Sequence, residues 1–129
     1  LFETVSRKRM TLENRIMDTL EYHFDDRCAT IVMSRALLDE LGAKVEDLEG
    51  IVSIPRRIEG VDVAVAFREN PSGTYKISVR TGEKANASAI CENFGGGGHV
   101  RAAGCNVPGP LEHAKELLLE AVRKELTGA

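Results

Sequence analysis

Four consecutive glycines, Gly95 to Gly98, stand between Phe94 and His99, and Val100-Arg101-Ala102-Ala103-Gly104-Cys105 follows. Glycine buries no side chain and loses the most backbone freedom on folding. A folded domain keeps such a run where the backbone must bend sharply or come close to something else. Open backbone N–H groups beside an imidazole and a guanidinium suit an anion, above all a phosphate. A bare linker would not run straight into small residues that imply tight packing, so a ligand loop is the preferred reading. His99 can donate to a phosphate oxygen in its neutral or its charged form. Arg101 is the weaker candidate, since a solvated role suits it equally. Arg80 has two readings on residue type alone: a structural partner of Glu83 or Glu92, or a bidentate phosphate clamp.

Common nucleotide loops do not fit. A Walker loop needs strand, loop and helix, with Lys-Ser or Lys-Thr after the glycines. Here the run follows a helical pattern and no such pair appears, and the same context excludes a dinucleotide fingerprint. His23, Asp25 and Asp26 read as a solvated connector rather than a metal cluster. Glu112, His113 and Glu116 read as the charged face of a final helix.

Bulk composition bounds the rest. The chain has 129 residues, 43% hydrophobic and 29% charged, with no Trp. That is a globular composition of about one domain's length, with a core of Ile, Val, Leu and Ala. Three cysteines at wide spacing, Cys28, Cys91 and Cys105, without a Cys-x-x-Cys, read as buried or neutral free thiols in a reducing compartment. A net charge of −3 gives no global signal for long nucleic acids, so an anion site must be local. Lys76, Arg80, Lys84 and Arg101 against Glu83 and Glu92 supply that local sign. No apolar run reaches membrane-span length and no signal peptide opens the chain. A start at Leu1 suggests a piece of a longer protein.

The elements that must hold these residues follow from periodicity. Residues 8–22 predict a helix, with Leu12, Ile16, Met17 and Leu20 on one face. Residues 29–33 predict a buried strand, and Ser34 caps a helix over 35–41 that Gly42 ends. Residues 47–57 suggest a short irregular helix kinked at Pro55. Strands over 61–67 and 75–80, joined by a turn at 70–73, predict an antiparallel hairpin. Lys76, Ser78 and Arg80 share one strand face. A short helix from Ala87 stops at Gly95, a strand covers 104–107, and a last helix starts with Pro110 at its first position and ends at Gly128. The fold class is α/β: a mixed sheet with flanking helices and an N-terminal helix.

Taken together, Ile77-Ser78-Val79-Arg80-Thr81, a short helix, and Phe94-Gly-Gly-Gly-Gly-His99 followed by Ala102-Ala103-Gly104 resemble the DHH-associated domain of subtype one. This is the C-terminal, substrate-binding half of DHH-family phosphoesterases. Residues 46–52 and 58–64 resemble its nano-RNase and pAp-phosphatase branch. The resemblance implies that Gly96, Gly97, Gly98 and His99 hold substrate phosphate, with Arg80 as the strand arginine and Arg101 as a basic neighbour. Thr81 stands where that family often has serine. The family's chemistry depends on an N-terminal domain with an Asp-His-His triplet and two metal ions, typically manganese, and this chain has no such triplet.

The resemblance therefore implies a division of the chain: residues 1–25 as a connector helix from a missing catalytic domain, and 26–129 as the substrate-binding domain. It implies a domain without catalytic or metal-ligating residues or a cofactor of its own, within a cytoplasmic metal-dependent oligoribonuclease or pAp phosphatase. Implied partners are a nucleotide or short oligonucleotide and the N-terminal DHH domain, with no membrane; a homodimer stays open. Two alternatives remain: a stand-alone nucleotide- or nucleic-acid-binding module, or part of a cyclic-dinucleotide phosphodiesterase.

Overall fold

The structure, a computed structural model, describes residues 4–128. Helix α1 spans Arg7–Met17, followed by strands β1 (Glu21–His23) and β2 (Cys28–Met33) and helix α2 (Arg35–Glu40). Three short 3₁₀ turns, Val45–Leu48, Ile51–Ser53 and Pro55–Arg57, lead to strands β3 (Val63–Glu69) and β4 (Tyr75–Thr81). Helix α3 (Ala87–Glu92), strands β5 (Gly97–Gly98) and β6 (Ala102–Val107) and helix α4 (Leu111–Thr127) complete the chain. The strands form one sheet of order β1-β2-β3-β4-β6-β5, in which only β2 and β3 run parallel. This is the mixed α/β sheet with flanking helices that the sequence predicts.

Local chemistry sets the element ends. Ser6 and Ser34 accept hydrogen bonds from the backbone of Arg9 (3.0 Å) and Leu37 (3.1 Å), capping α1 and α2. Asn86 caps α3 by accepting from Ala89 N–H at 3.0 Å. The expected β3–β4 hairpin is present, with Val65 opposite Val79. The crossover from β2 to β3 is α2 plus the three 3₁₀ turns, where an irregular helix kinked at Pro55 was expected.

Four expectations need correction. The first helix ends at Met17, not near residue 22, because Thr19 ties the chain to the sheet. Its hydroxyl donates to Ile16 O at 2.6 Å and accepts from Val32 N–H at 2.8 Å. Residues 21–23 then pair with β2 as an edge strand. The glycine run is not all loop, since Gly97 and Gly98 form β5 against Gly104 and Ala103. The following strand accordingly begins at Ala102, not Gly104. Pro110 caps α4 and does not occupy its first helical position.

Strand alternation divides the buried side chains between two cores. Val63, Val65, Phe67, Ile77, Val79 and Cys105 face α3 and α4, whose Ile90, Ala114, Leu118 and Val122 are buried against them. On the opposite face, Ile31, Met33 and Ala66 meet Leu12 and Ile16 of α1, Leu37 and Leu38 of α2, and Leu48 and Ile51 of the turns. This second core takes no residue from β4, β5 or β6. That part of the sheet face is left for Lys76, Ser78 and Arg80.

Candidate functional site

An open trough of about 310 Å³ lies on this face, lined by Lys76, Ser78, Arg80, Gly97, Gly98 and Gly104 among others. The pairing register explains why these residues meet. Ser78 lies opposite Gly104 and Arg80 opposite Ala102 on β6, and Gly97 lies opposite Gly104 on the far side. Beside Ser78 and Arg80, β6 thus presents only a glycine and a methyl group. Cations on β4 and the backbone of β5 bound one shared space.

The four glycines serve different ends. Gly95 has φ +77°, a left-handed conformation that stops α3 without strain only in glycine. Gly96 N–H donates to Cys91 O at 3.0 Å, and a Cβ there would fall 2.6 Å from Cys105 Cβ. A Cβ on Gly98 would sit 2.8 Å from Ala102 O, at φ +153°. Gly97 differs, since a Cβ there meets only Ser88 Oγ at 3.7 Å, an ordinary contact. The fold does not demand glycine at 97, and this glycine faces the trough. As part of an edge strand, β5 has one side without a strand partner.

Charge on the trough floor is unbalanced. Lys76 and Arg80 lie four residues apart on one face of β4, with Ser78 between them, and Arg68 on β3 lies directly opposite Lys76. Among the described residues, none of the three has a carboxylate in an ion pair. Arg80 pairs with neither Glu83 nor Glu92; its Nη1 donates to Val79 O at 3.1 Å, and Glu92 instead accepts from Ser88. Like charges directly across a strand pair are unfavourable without a counter-charge. A polyanion would relieve them.

The remaining expected residues are not brought into the trough. His99 is exposed, and its backbone closes the β5–β6 turn by donating to Ala102 O at 2.8 Å. It stands at the trough's rim in sequence but not among its lining residues. The guanidinium of Arg101 turns away to donate to Gly82 O and to Ala85 O, the latter at 2.7 Å. It holds the segment after β4, and the physical reason is register. Arg101 precedes Ala102, so it shares the opposite face with Ala103. Thr81 helps from the same side, donating to Val100 O at 2.9 Å.

Sequence reasoning placed Lys76 and Ser78 on one face with Arg80 and counted Lys76 in the local positive charge, but named neither as a phosphate-binding residue. Their alternation with Arg80 was the available signal. Arg68 comes to the site because β3 pairs with β4, and residues 45–53, which line a second cavity with Arg68, Ser78 and Arg80, because the long crossover brings them over β4; both are long-range relationships.

Other reactive groups lie apart from the trough or inside the fold. All three cysteines are free and buried, and burial pushes the Cys28 thiol up to about 12. The neighbouring Cys91 and Cys105 thiols shift each other, Cys105 upward and Cys91 downward. His23 contacts Thr30 Oγ1 at 3.1 Å, and its partial burial lowers its pKa. Among the described residues no three His, Cys, Asp or Glu side chains gather into a metal-binding group. No helix among the described residues is long and apolar enough to cross a membrane.

Comparison with known proteins gives a consistent set of likenesses. The DHHA1 domain model matches residues 28–128. The chain is 37% identical over 119 residues to the bifunctional oligoribonuclease and PAP phosphatase NrnA of Thermus thermophilus, covering 92% of this chain and 35% of that protein. It is 25% identical over 111 residues to a probable bifunctional oligoribonuclease and PAP phosphatase NrnA of Streptococcus mutans, covering 81% of this chain and 36% of the relative. Among solved structures, an exopolyphosphatase-related protein from Bacteroides fragilis superposes with TM-score 0.86 and 28% identity, over 94% of this chain and 36% of that one. The chain thus spans about a third of the length of the relatives it matches.

Proposed function

The chain belongs to the DHHA1 domain family, and on that premise we propose that it holds the phosphates of a nucleotide or short oligonucleotide for a phosphoester-cleaving DHH domain of the same protein. The single observation that carries this reading is Arg80. It lines an open trough, opposite Ala102 of β6 and beside the glycine strand β5, with no carboxylate in an ion pair among the described residues.

Each group has a distinct task on this reading. Arg80 offers a planar fork of donors that matches two phosphate oxygens. Lys76 adds a point charge, and Ser78 a hydroxyl that can donate or accept. The absent side chain at Gly97 lets an anion approach the β5 backbone. His99, on the turn beyond β5, reaches the phosphate from the rim, as the family resemblance implies. These groups bind and orient; they hold the substrate still and offset its charge while the scissile bond is cleaved elsewhere.

The bond-breaking step belongs, on this reading, to the partner domain. The relatives named oligoribonuclease and PAP phosphatase are about three times the length of this chain, which leaves room for one. Residues 1–25 are proposed to lead from that domain and 26–129 to form the substrate-binding unit. Any manganese would be held by the partner domain, since the described residues here do not offer a donor set for it. The substrates are proposed as adenosine 3′,5′-bisphosphate and short oligoribonucleotides, after the names those relatives carry.

The test is kinetic. In the intact protein, Arg80→Ala raises KM for a dinucleotide on the order of 10- to 100-fold, the loss of a charge-assisted hydrogen-bond pair. An unchanged KM would overturn the assignment.

A further inference from the structure

Two cavities meet at Ser78 and Arg80. One is the trough beside the glycine strand. The other, of about 210 Å³, lies between β4 and the 3₁₀ turns, lined by Val45, Leu48, Val52 and Arg68 together with Ser78 and Arg80. We propose that this second cavity is a nucleobase subsite, so that a nucleotide lies across Arg80 with its phosphate over the glycine strand and its base against the 45–53 wall. The inference rests on the phosphate-binding reading above.

Size, lining and continuity all favour a base. Pockets for drug-sized ligands run from about 300 to 1,000 Å³, so this one suits a single ring system. The 45–53 wall is apolar at Val45, Leu48 and Val52 and polar at Glu49 and Ser53, and the floor is polar, a combination that fits a flat heterocycle with hydrogen-bonding edges. Val45 is 62% exposed, a large hydrophobic side chain that the core does not use. Arg68 is half-buried and has no ion pair among the described residues. A guanidinium plane both stacks on a base and donates to its acceptors. The two cavities share Ser78 and Arg80, which places the phosphate and base positions side by side.

The wall is also held in place. Asp47 accepts from Lys44 N–H at 2.7 Å and pairs with Lys8 of α1 at 3.2 Å. Leu48 and Ile51 anchor it in the second core. A wall already fixed costs a ligand little ordering on binding.

Amide chemical shifts of the labelled chain, titrated with adenosine 5′-monophosphate and with base-free ribose 5-phosphate, test the inference. Both ligands are expected to shift Ser78, Gly97 and Gly98, and only the nucleotide to shift residues 45–53. Val45→Ser, at an exposed position, is expected to weaken nucleotide binding on the order of three- to tenfold more than ribose phosphate binding. Identical shift patterns for the two ligands, with residues 45–53 still, would overturn the base subsite and leave the phosphate reading standing. If neither ligand shifts Gly97 and Gly98, the phosphate reading fails and the base subsite falls with it.

Discussion

The ammonium of Lys76 occupies the space that a side chain at position 104 would need: a Cβ on Gly104 would lie 2.7 Å from Lys76 Nζ. Lys76 therefore leans across β6 toward the glycine strand, away from Arg68 opposite it on β3. A lysine so placed adds a charge to the trough without carrying the fold. Lys76→Met is expected to weaken binding of a short single strand while leaving thermal stability nearly unchanged. It should also reduce the slope of log affinity against log salt by about 0.7, the contribution of one phosphate contact on a single strand. Titrations at several salt concentrations measure both.

The glycine run can be taken apart by single alanines. Gly97→Ala is expected to leave the melting temperature within about 2 °C, since surface changes free of clashes rarely exceed about 0.5 kcal/mol. The same substitution should weaken phosphate binding, because it narrows the approach to the β5 backbone. Gly96→Ala should behave oppositely, losing stability as its Cβ meets Cys105 and the Gly104 carbonyl. Thermal melts beside phosphate titrations separate the two effects.

Arg101 is expected to show a stability effect. Its guanidinium holds the Gly82 and Ala85 carbonyls. Arg101→Ala should cost on the order of 1.5–3 kcal/mol, the range for hydrogen bonds to a charged group. Denaturant melts read the loss directly. A variant as stable as the parent but defective in binding would instead return Arg101 to the phosphate site.

Acid should loosen the 45–53 wall through Asp47. The hydrogen bond from Lys44 N–H, and then Lys8, hold its carboxyl below the ordinary value of 3.8. A group with a depressed folded pKa contributes stability that is fully present above its unfolded pKa and is lost as pH falls through the folded value. The stability difference between parent and Asp47→Asn should therefore be full at pH 6 and fade below about pH 4. Denaturant melts across that range provide the check.

Much of this was legible in the residues themselves. The β3–β4 hairpin and the caps at Ser34 and Gly128 follow from alternation and capping chemistry, which are local. The shared face of Lys76, Ser78 and Arg80 is visible in period two alone. What could not be read is long-range. Thr19 stops α1 by bonding to Val32 across the sheet, and no pattern within residues 8–22 announces that contact. The facing of Arg101 depends on where β6 begins, and its pairing with β4 fixes that. Arg68 reaches the site only because β3 lies beside β4, and the 45–53 wall only because a long crossover folds over that face.

The most direct test of the central claim is calorimetric titration of this chain with the 5′-phosphorylated dinucleotide pApA, for the parent and for Arg80→Ala. The expected result is saturable binding by the parent and a loss on the order of 10- to 100-fold in the variant, with unchanged melting. Equal binding by both proteins, or none by the parent, would contradict the assignment of this trough to substrate phosphate.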